Sequence, residues 1–285
     1  MTIYRQIITV FDRPILRHIL GYAASSYARR KTGLDVQIFY DEAWTRKIGT
    51  YYLAESPTFD WSAHHLAGWK KDLEDVLQMH RDWWFPHYKP KEGDVIVDIG
   101  AGIGDDAILF SKAAGQRGRV LSVEAHPATF RLLQKTCGYN RLQNVTAVHQ
   151  AIMDKTCTVY IEDRPGYAAN TIMQSKDECP SGLKVPACSF DDLCAQQNIE
   201  HIDFLKMNIE GAERFAIQGM PRMIKRISHL CIACHDFLGE KNDFYRTKAV
   251  VSDFLRSNGF DVSILHNHPE PWVRDNVHGK RLAKI

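Results

Sequence analysis

Hydrophobic positions change their period along this chain, and the changes divide it. Between residues 1 and 31, Ile3, Ile7, Phe11, Ile15, Ile19 and Tyr22 recur at helical spacing. Asp12 and Pro14 read as the cap and first turn of a second helix, with Gly33 as its stop. Residues 34–60 are aromatic and irregular, with Phe39, Tyr40, Trp44, Tyr51, Tyr52 and Phe59. Helical spacing returns over 62–84, where Leu66, Leu73, Val76, Leu77, His80 and Trp84 form the expected buried stripe. Pro86 and Pro90 then break the chain.

From Lys91 onward, short β-branched runs alternate with helical segments. VIVDIG, RVLSVEA, NVTAVHQAI, IDFLKMNIE and HLCIACHD read as strands, with helices near 105–115, 127–139 and 211–226. Such alternation predicts a parallel sheet covered by helices on both faces. The stretch 153–190 holds short strand-like pieces around a loop. After a helix at about 243–258, FDVSILHN and PWVRDNVHG are expected to close the sheet as an antiparallel pair. The expected fold is therefore α/β, a doubly wound and mostly parallel Rossmann-like sheet. It carries an N-terminal helical and aromatic extension over 1–90, followed by the cofactor-binding domain over 91–285.

Composition narrows the function classes. A net charge of +2 on 285 residues gives no global basic field for nucleic acid. Residues 1–31 are the exception, with six Lys and Arg side chains against Asp12 alone. This basic amphipathic segment is expected to pack on its own domain, to form a homodimer, or to lie on an anionic membrane surface. Seven scattered cysteines suit free thiols in a reducing cytoplasm. Cys231 and Cys234 lack the second ligand pair of a zinc site and read as small core residues. No apolar run is long enough to span a bilayer.

The segment Asp98-Ile99-Gly100-Ala101-Gly102-Ile103-Gly104 follows a strand and opens a helix, where an open α/β sheet binds its ligand. A dinucleotide pattern would require glycine where Asp105 stands. Asp98, Asp105 and Asp106 would repel a pyrophosphate. They suit the ammonium and sulfonium of S-adenosylmethionine, so Asp98, Gly100, Gly102 and Gly104 are assigned to that cofactor. Glu124 ends the second strand and is expected to accept the ribose hydroxyls. His126 and Ala151 are placed beside the adenine.

Lys206, Asn208 and Glu210 are spaced by two at the end of the fourth strand, so they are expected on one side of an extended chain. Lys206 is expected to pair with Glu210, and Asn208 to cap the next helix or reach the cofactor. His235 closes the fifth strand beside them. A histidine there suits a general base for a hydroxyl acceptor, titrating near or somewhat below neutrality. His235 and Glu210 are the catalytic candidates.

These segments resemble the FkbM-like methyltransferase family. The resemblance rests on GDVIVDIGAGIGDDAILFSK, VEAHPATFRLLQKT, VPACSFDDL and above all IDFLKMNIEGAERFAIQG, over roughly residues 90–240. It implies an S-adenosylmethionine-dependent O-methyltransferase acting on hydroxyls of sugars, glycolipids or natural products. It also implies cofactor roles for Asp98, Gly100 and Glu124, and site roles for Glu210 and Glu213. Asn208 stands where the family usually has aspartate, which argues against a divalent metal; His126 replaces the more common asparagine. The expected acceptor is a carbohydrate or related metabolite. The alternatives are an amine or carboxylate acceptor, or a catalytically silent cofactor-binding subunit.

Overall fold

The computed structural model describes residues 12–59, 73–164, 170–173, 175–177, 180–240 and 242–283. A helix α1 (Arg17–Thr32) precedes three strands, β1 (Val36–Asp41), β2 (Ala43–Ile48) and β3 (Tyr51–Ser56). The strands form an antiparallel sheet in sequence order. The aromatic stretch that looked irregular is thus a sheet. Its inner face buries Val36, Ile38, Trp44 and Ile48 with Phe59, against Ala24 and Ala28 of α1. Gly21 allows the close contact, since a Cβ there would lie 2.7 Å from the Ile38 carbonyl oxygen.

The remaining chain builds the main domain. Helix α2 (Leu73–Trp84) leads to β4 (Val95–Ile99), α3 (Asp105–Ala114), β5 (Arg119–Glu124), α4 (Pro127–Tyr139) and β6 (Val145–His149). After Gln150 the chain leaves the main sheet. The segment NVTAVHQAI therefore serves two sheets, β6 in one and β7 (Ala151–Met153) in another. Strands β7, β8 (Cys157–Ile161), β9 (Ile172–Met173) and β10 (Leu183–Ser189) form the smaller, four-stranded sheet. Ser189 caps α5 (Phe190–Gln196) by accepting from the Asp192 amide. Then follow β11 (Ile202–Met207), α6 (Glu213–Ala216), β12 (Ile227–Ala233), α7 (Lys248–Ser257), β13 (Phe260–Ile264), α8 (Pro271–Arg274) and β14 (Asn276–Arg281).

The main sheet has seven strands in the order β13-β14-β12-β11-β4-β5-β6. The five central neighbours run parallel, and β14 is antiparallel to both β12 and β13. The expected terminal pair is present, but PWVR forms the helical turn α8, because Pro271 stands in its first turn. The helix expected over 211–226 is only the single turn α6 followed by two 3₁₀ turns. Alternate strand residues feed two cores. Val97, Ile99, Leu121, Val123, Leu205 and Met207 face one helical layer. Ile96, Val120 and Phe204 meet Leu77, Trp84, Ile108 and Phe110 on the other. Each such side chain contributes roughly 1.5–3 kcal/mol on burial.

Strand order reverses between β4 and β11, and the crevice beyond their carboxyl ends is where such sheets bind ligands. The N-terminal sheet docks beside it, on α4. Asn140 accepts from the Tyr52 amide at 3.0 Å and donates to the Tyr52 carbonyl at 2.7 Å; Thr136 Oγ1 accepts from the Ala54 amide at 3.1 Å.

Of the apolar stripe read over residues 1–31, Ile3, Ile7 and Phe11 lie outside the described residues, as does Leu66 of the later stripe. Ile15, Ile19 and Tyr22 are 82%, 50% and 74% exposed. The buried face of α1 is instead the small-residue row Gly21, Ala24, Ser25 and Ala28. Small residues let helix and sheet approach closely, which leaves the large apolar ones outside.

Candidate active site

A cavity of about 530 Å³ opens at the switch point. Gly100 and Gly102 line one wall, Glu124, Gln150 and Ala151 a second, and Asn208, Glu210 and His235 a third. Trp83, Phe237 and Trp272 add flat rings.

Glycine at 100 is demanded by the fold itself. Its φ is +78°, and a Cβ would lie 1.9 Å from the Asn208 carbonyl oxygen. Gly100 thus lets the loops after β4 and β11 meet. Gly104, at φ +95°, does not line the cavity; a Cβ there would press on Leu133 at 2.8 Å. Its role is the packing of α3 on α4.

Glu124 is fixed before any ligand arrives. Oε2 accepts from the Gly102 amide at 2.9 Å and Oε1 from the His126 amide at 2.8 Å. Burial pushes its carboxyl up to about 7 against those two amides. The His126 side chain lies outside the cavity lining. It caps α4 by accepting from the Thr129 amide, and Nε2 lies 3.2 Å from Asp163.

The acidic loop is a buried charge cluster. Lys206 Nζ lies 2.9 Å from Asp98 Oδ1, 2.7 Å from the Gly100 carbonyl and 3.5 Å from Asp106 Oδ2. The expected Lys206–Glu210 pairing does not form. The strand ends at Met207, and Glu210 turns away in a left-handed conformation, φ 54°. Asn208 does not cap a helix either; its amide donates to the Ile99 carbonyl, and its buried Oδ1 has no hydrogen-bond partner among the described residues. Asp98 itself stands behind the lining, fully buried; burial raises its carboxyl to about 6 against the pull of Lys206.

Asp106 collects three partners. His80 Nδ1 lies 2.8 Å from Oδ1, Trp84 Nε1 donates to the same oxygen at 2.9 Å, and Lys206 approaches Oδ2. Burial opposes charge on both His80 and Asp106, but their mutual attraction wins. It holds the imidazole at about 9, helped by Asp105, and the Asp106 carboxyl at about 2, helped by Lys206. Three carboxyls, Asp98, Asp105 and Asp106, thus face two cationic side chains, Lys206 and His80, and burial raises the Asp105 carboxyl as it does that of Asp98. A cationic ligand fits such a site, and a pyrophosphate does not.

His235 Nε2 lies 3.1 Å from Glu210 Oε1, and Nδ1 is buried 3.8 Å from Glu213 Oε1. Glu213 clamps the turn carrying Glu210. Its Oε1 accepts from the Ile209 amide at 3.2 Å and the Gly211 amide at 3.3 Å, and its Oε2 accepts from Thr247 Oγ1 at 3.2 Å. A left-handed non-glycine residue costs about 1–2 kcal/mol, which these bonds offset. Burial disfavours the charged imidazole, yet Glu210, Glu213 and Asp275 together raise its pKa above the ordinary 6.5. The rise has a geometric cause: three carboxylates converge on one ring.

The expected site residues that line the cavity are Gly100, Gly102, Glu124, Ala151, Asn208, Glu210 and His235; Asp98, Gly104 and His126 support it from behind. The contribution of α2 was not foreseen. His80 and Trp84 passed for core stripe, and the one signal was a histidine and a tryptophan four apart in an otherwise aliphatic row.

Topology and site define an α/β methyltransferase-type domain with a cavity suited to S-adenosylmethionine. The family model for the methyltransferase FkbM domain matches residues 98–262, more than half of the chain, and the chain belongs to that family of S-adenosylmethionine-dependent methyltransferases. No curated protein matches the sequence. Among solved structures, the chain is similar to an FkbM methyltransferase from Methylobacillus flagellatus (17% identity, TM-score 0.47). That alignment covers 66% of this chain and only 43% of the other. A fibrillarin from Aeropyrum pernix with bound S-adenosyl-L-methionine aligns at 17% identity over 72% and 73% of the two chains, TM-score 0.43. An S-adenosylmethionine-dependent O-methyltransferase from Thermotoga maritima aligns at 13% identity over 87% and 78%, TM-score 0.42.

Proposed function

We propose that this methyltransferase acts on a hydroxyl of a carbohydrate or related metabolite, with His235 and Glu210 as its catalytic pair. The observation that carries this reading is the His235–Glu210 contact at the cavity wall, with Glu213 behind the ring. When bound, S-adenosylmethionine supplies an electrophilic methyl group on a sulfonium. Glu124 would hold its ribose hydroxyls, Gly100 and Gly102 offer backbone to its length, Ala151 borders the adenine, and Asn208 offers its unpartnered Oδ1. Asp98, Gly104 and His126 act through these residues, by fixing Lys206, α3 and Glu124.

The acceptor hydroxyl bonds to Glu210 and loses its proton to His235 Nε2. Nε2 faces Glu210 Oε1 in the structure, so the hydroxyl enters between them and donates to Nε2 of an imidazole whose proton sits on Nδ1, toward Glu213. The imidazolium then lies between two carboxylates. Trp83, Phe237 and Trp272 present flat faces suited to a sugar ring. No step here calls on a metal. Incubation with methyl-labelled cofactor and a panel of sugars, glycosides and amines tests the acceptor class. Label in amines alone refutes a hydroxyl acceptor. His235→Ala should lower turnover roughly 10²–10⁴-fold, the usual worth of a general base, with cofactor affinity little changed. Near-normal turnover would place the base elsewhere.

We also propose that the enzyme works in a reducing cytoplasm and meets an anionic membrane surface through α1. Six described cysteines are free thiols. The exposed Ile15, Ile19 and Tyr22 lie in a segment rich in Arg and Lys. Among the described residues no helix is long and apolar enough to cross a membrane.

A further inference from the structure

Helix α2 precedes the residues matched by the family model, yet it supplies His80, Trp83 and Trp84 to the cavity. The cationic side chains in the lining are Lys206, His80 and His235. The Lys206 ammonium donates to the Gly100 carbonyl and is ion-paired with Asp98 and Asp106. His235 faces Glu210 and Glu213. His80 is different. Asp106 takes Nδ1, Trp83 stacks on the ring at 4.9 Å, and Nε2 makes no hydrogen bond among the described residues. A protonated imidazole carries a donor on each nitrogen, so one charged donor of His80 is left for a ligand.

The cofactor reading fixes the ends of the ligand. Glu124 marks the ribose, and the His235–Glu210 pair marks the reacting centre. The remaining arm, an amino acid with one ammonium and one carboxylate, would then meet Gly100, Gly102 and α2. The acids Asp98, Asp105 and Asp106 suit the ammonium, but they would repel the carboxylate.

We propose that His80 is the carboxylate receptor of the S-adenosylmethionine site, its Nε2–H bonding the carboxylate of the methionine arm. Helix α2, which precedes the residues matched by the family model, thereby adds a cationic donor to the cofactor site. This inference rests on the cofactor reading above.

The test compares two ligands by calorimetry on the full chain. S-adenosylmethionine carries the carboxylate; its decarboxylated analogue lacks that group and keeps the sulfonium and the amine. His80→Gln and His80→Leu should weaken S-adenosylmethionine about 10- to 100-fold, as expected for a lost charge-assisted hydrogen bond. Both variants should bind the decarboxylated analogue within about twofold of the wild type. Gln still offers a donor to Asp106, so it carries the comparison if Leu does not fold. Equal weakening of both ligands would make His80 only a support for Asp106 and overturn the inference. Unchanged affinity for S-adenosylmethionine would overturn it too. A wild-type chain that binds neither ligand would remove the cofactor reading and this inference with it.

Discussion

His235 shows how neighbours, rather than residue type, set the chemistry of a side chain. Alone, a histidine titrates near 6.5. Here burial resists the proton, and Glu210, Glu213 and Asp275 overcome that resistance. A base must be unprotonated to work, so raising its pKa moves the acid limb of activity upward. Activity should therefore be lost as pH falls through a value above 6.5. For stability the sign is the same as for any raised histidine: the contribution is full below 6.5 and fades as pH rises through the folded-state value. Titration of the His235 ring protons by NMR should give a midpoint above 6.5. Glu210→Gln removes the nearest countercharge and should bring that midpoint down. A wild-type midpoint at or below 6.5 would show that the carboxylates do not govern the ring. The placement of His235 and Glu210 was legible in the sequence, because both follow strands whose ends meet at one edge. The Glu213–His235 approach was not, since it depends on the left-handed turn at Glu210, which no periodicity reveals.

Among the elements, the N-terminal sheet binds the main domain by polar contacts that a buried surface makes costly to lose. Thr136 and Ala54 are fully buried, and the hydroxyl of one accepts from the amide of the other. Thr136→Val keeps the shape and removes the acceptor, leaving a buried amide unpaired at a cost of about 1–3 kcal/mol. Denaturant unfolding should show one transition whose midpoint falls accordingly. An unchanged midpoint, or two transitions, would show that residues 1–90 fold apart from residues 91–285. The main sheet was readable because buried parallel strands are short apolar runs separated by helical spacing. The N-terminal sheet was not, because β2 buries Thr45 and Arg46 beside Trp44 and so breaks the alternation that marks a half-buried strand. The switch of NVTAVHQAI between two sheets was equally hidden, since one residue, Gln150, separates two runs of the same character.

At the scale of the whole molecule, the uneven charge and the exposed face of α1 point the same way. The net charge is only +2, yet residues 1–31 hold six Lys and Arg side chains and one acid, and that acid, Asp12, pairs with Arg17 at 2.8 Å. Ile15, Ile19 and Tyr22 stand exposed four and three residues apart, with Arg13 and Arg30 also exposed. Helix α1 cannot turn this face inward, because its opposite side is already packed on β1 through Gly21, Ser25 and Ala28. Apolar side chains among cations match the boundary of an anionic bilayer, where burial and charge attraction add. The chain should pellet with phosphatidylcholine vesicles containing phosphatidylserine and remain in solution with phosphatidylcholine alone. Raising the salt should release it, since surface attraction is screened within about 10 Å at 0.1 M ionic strength. Replacing Ile15, Ile19 and Tyr22 together by serine should abolish pelleting. It should leave the thermal midpoint nearly unchanged, because exposed substitutions cost within about 0.5 kcal/mol each. Failure to pellet with either vesicle would sink the membrane reading. So would a dimer in light scattering that the triple substitution dissolves, since the same face would then belong to a second copy of the chain.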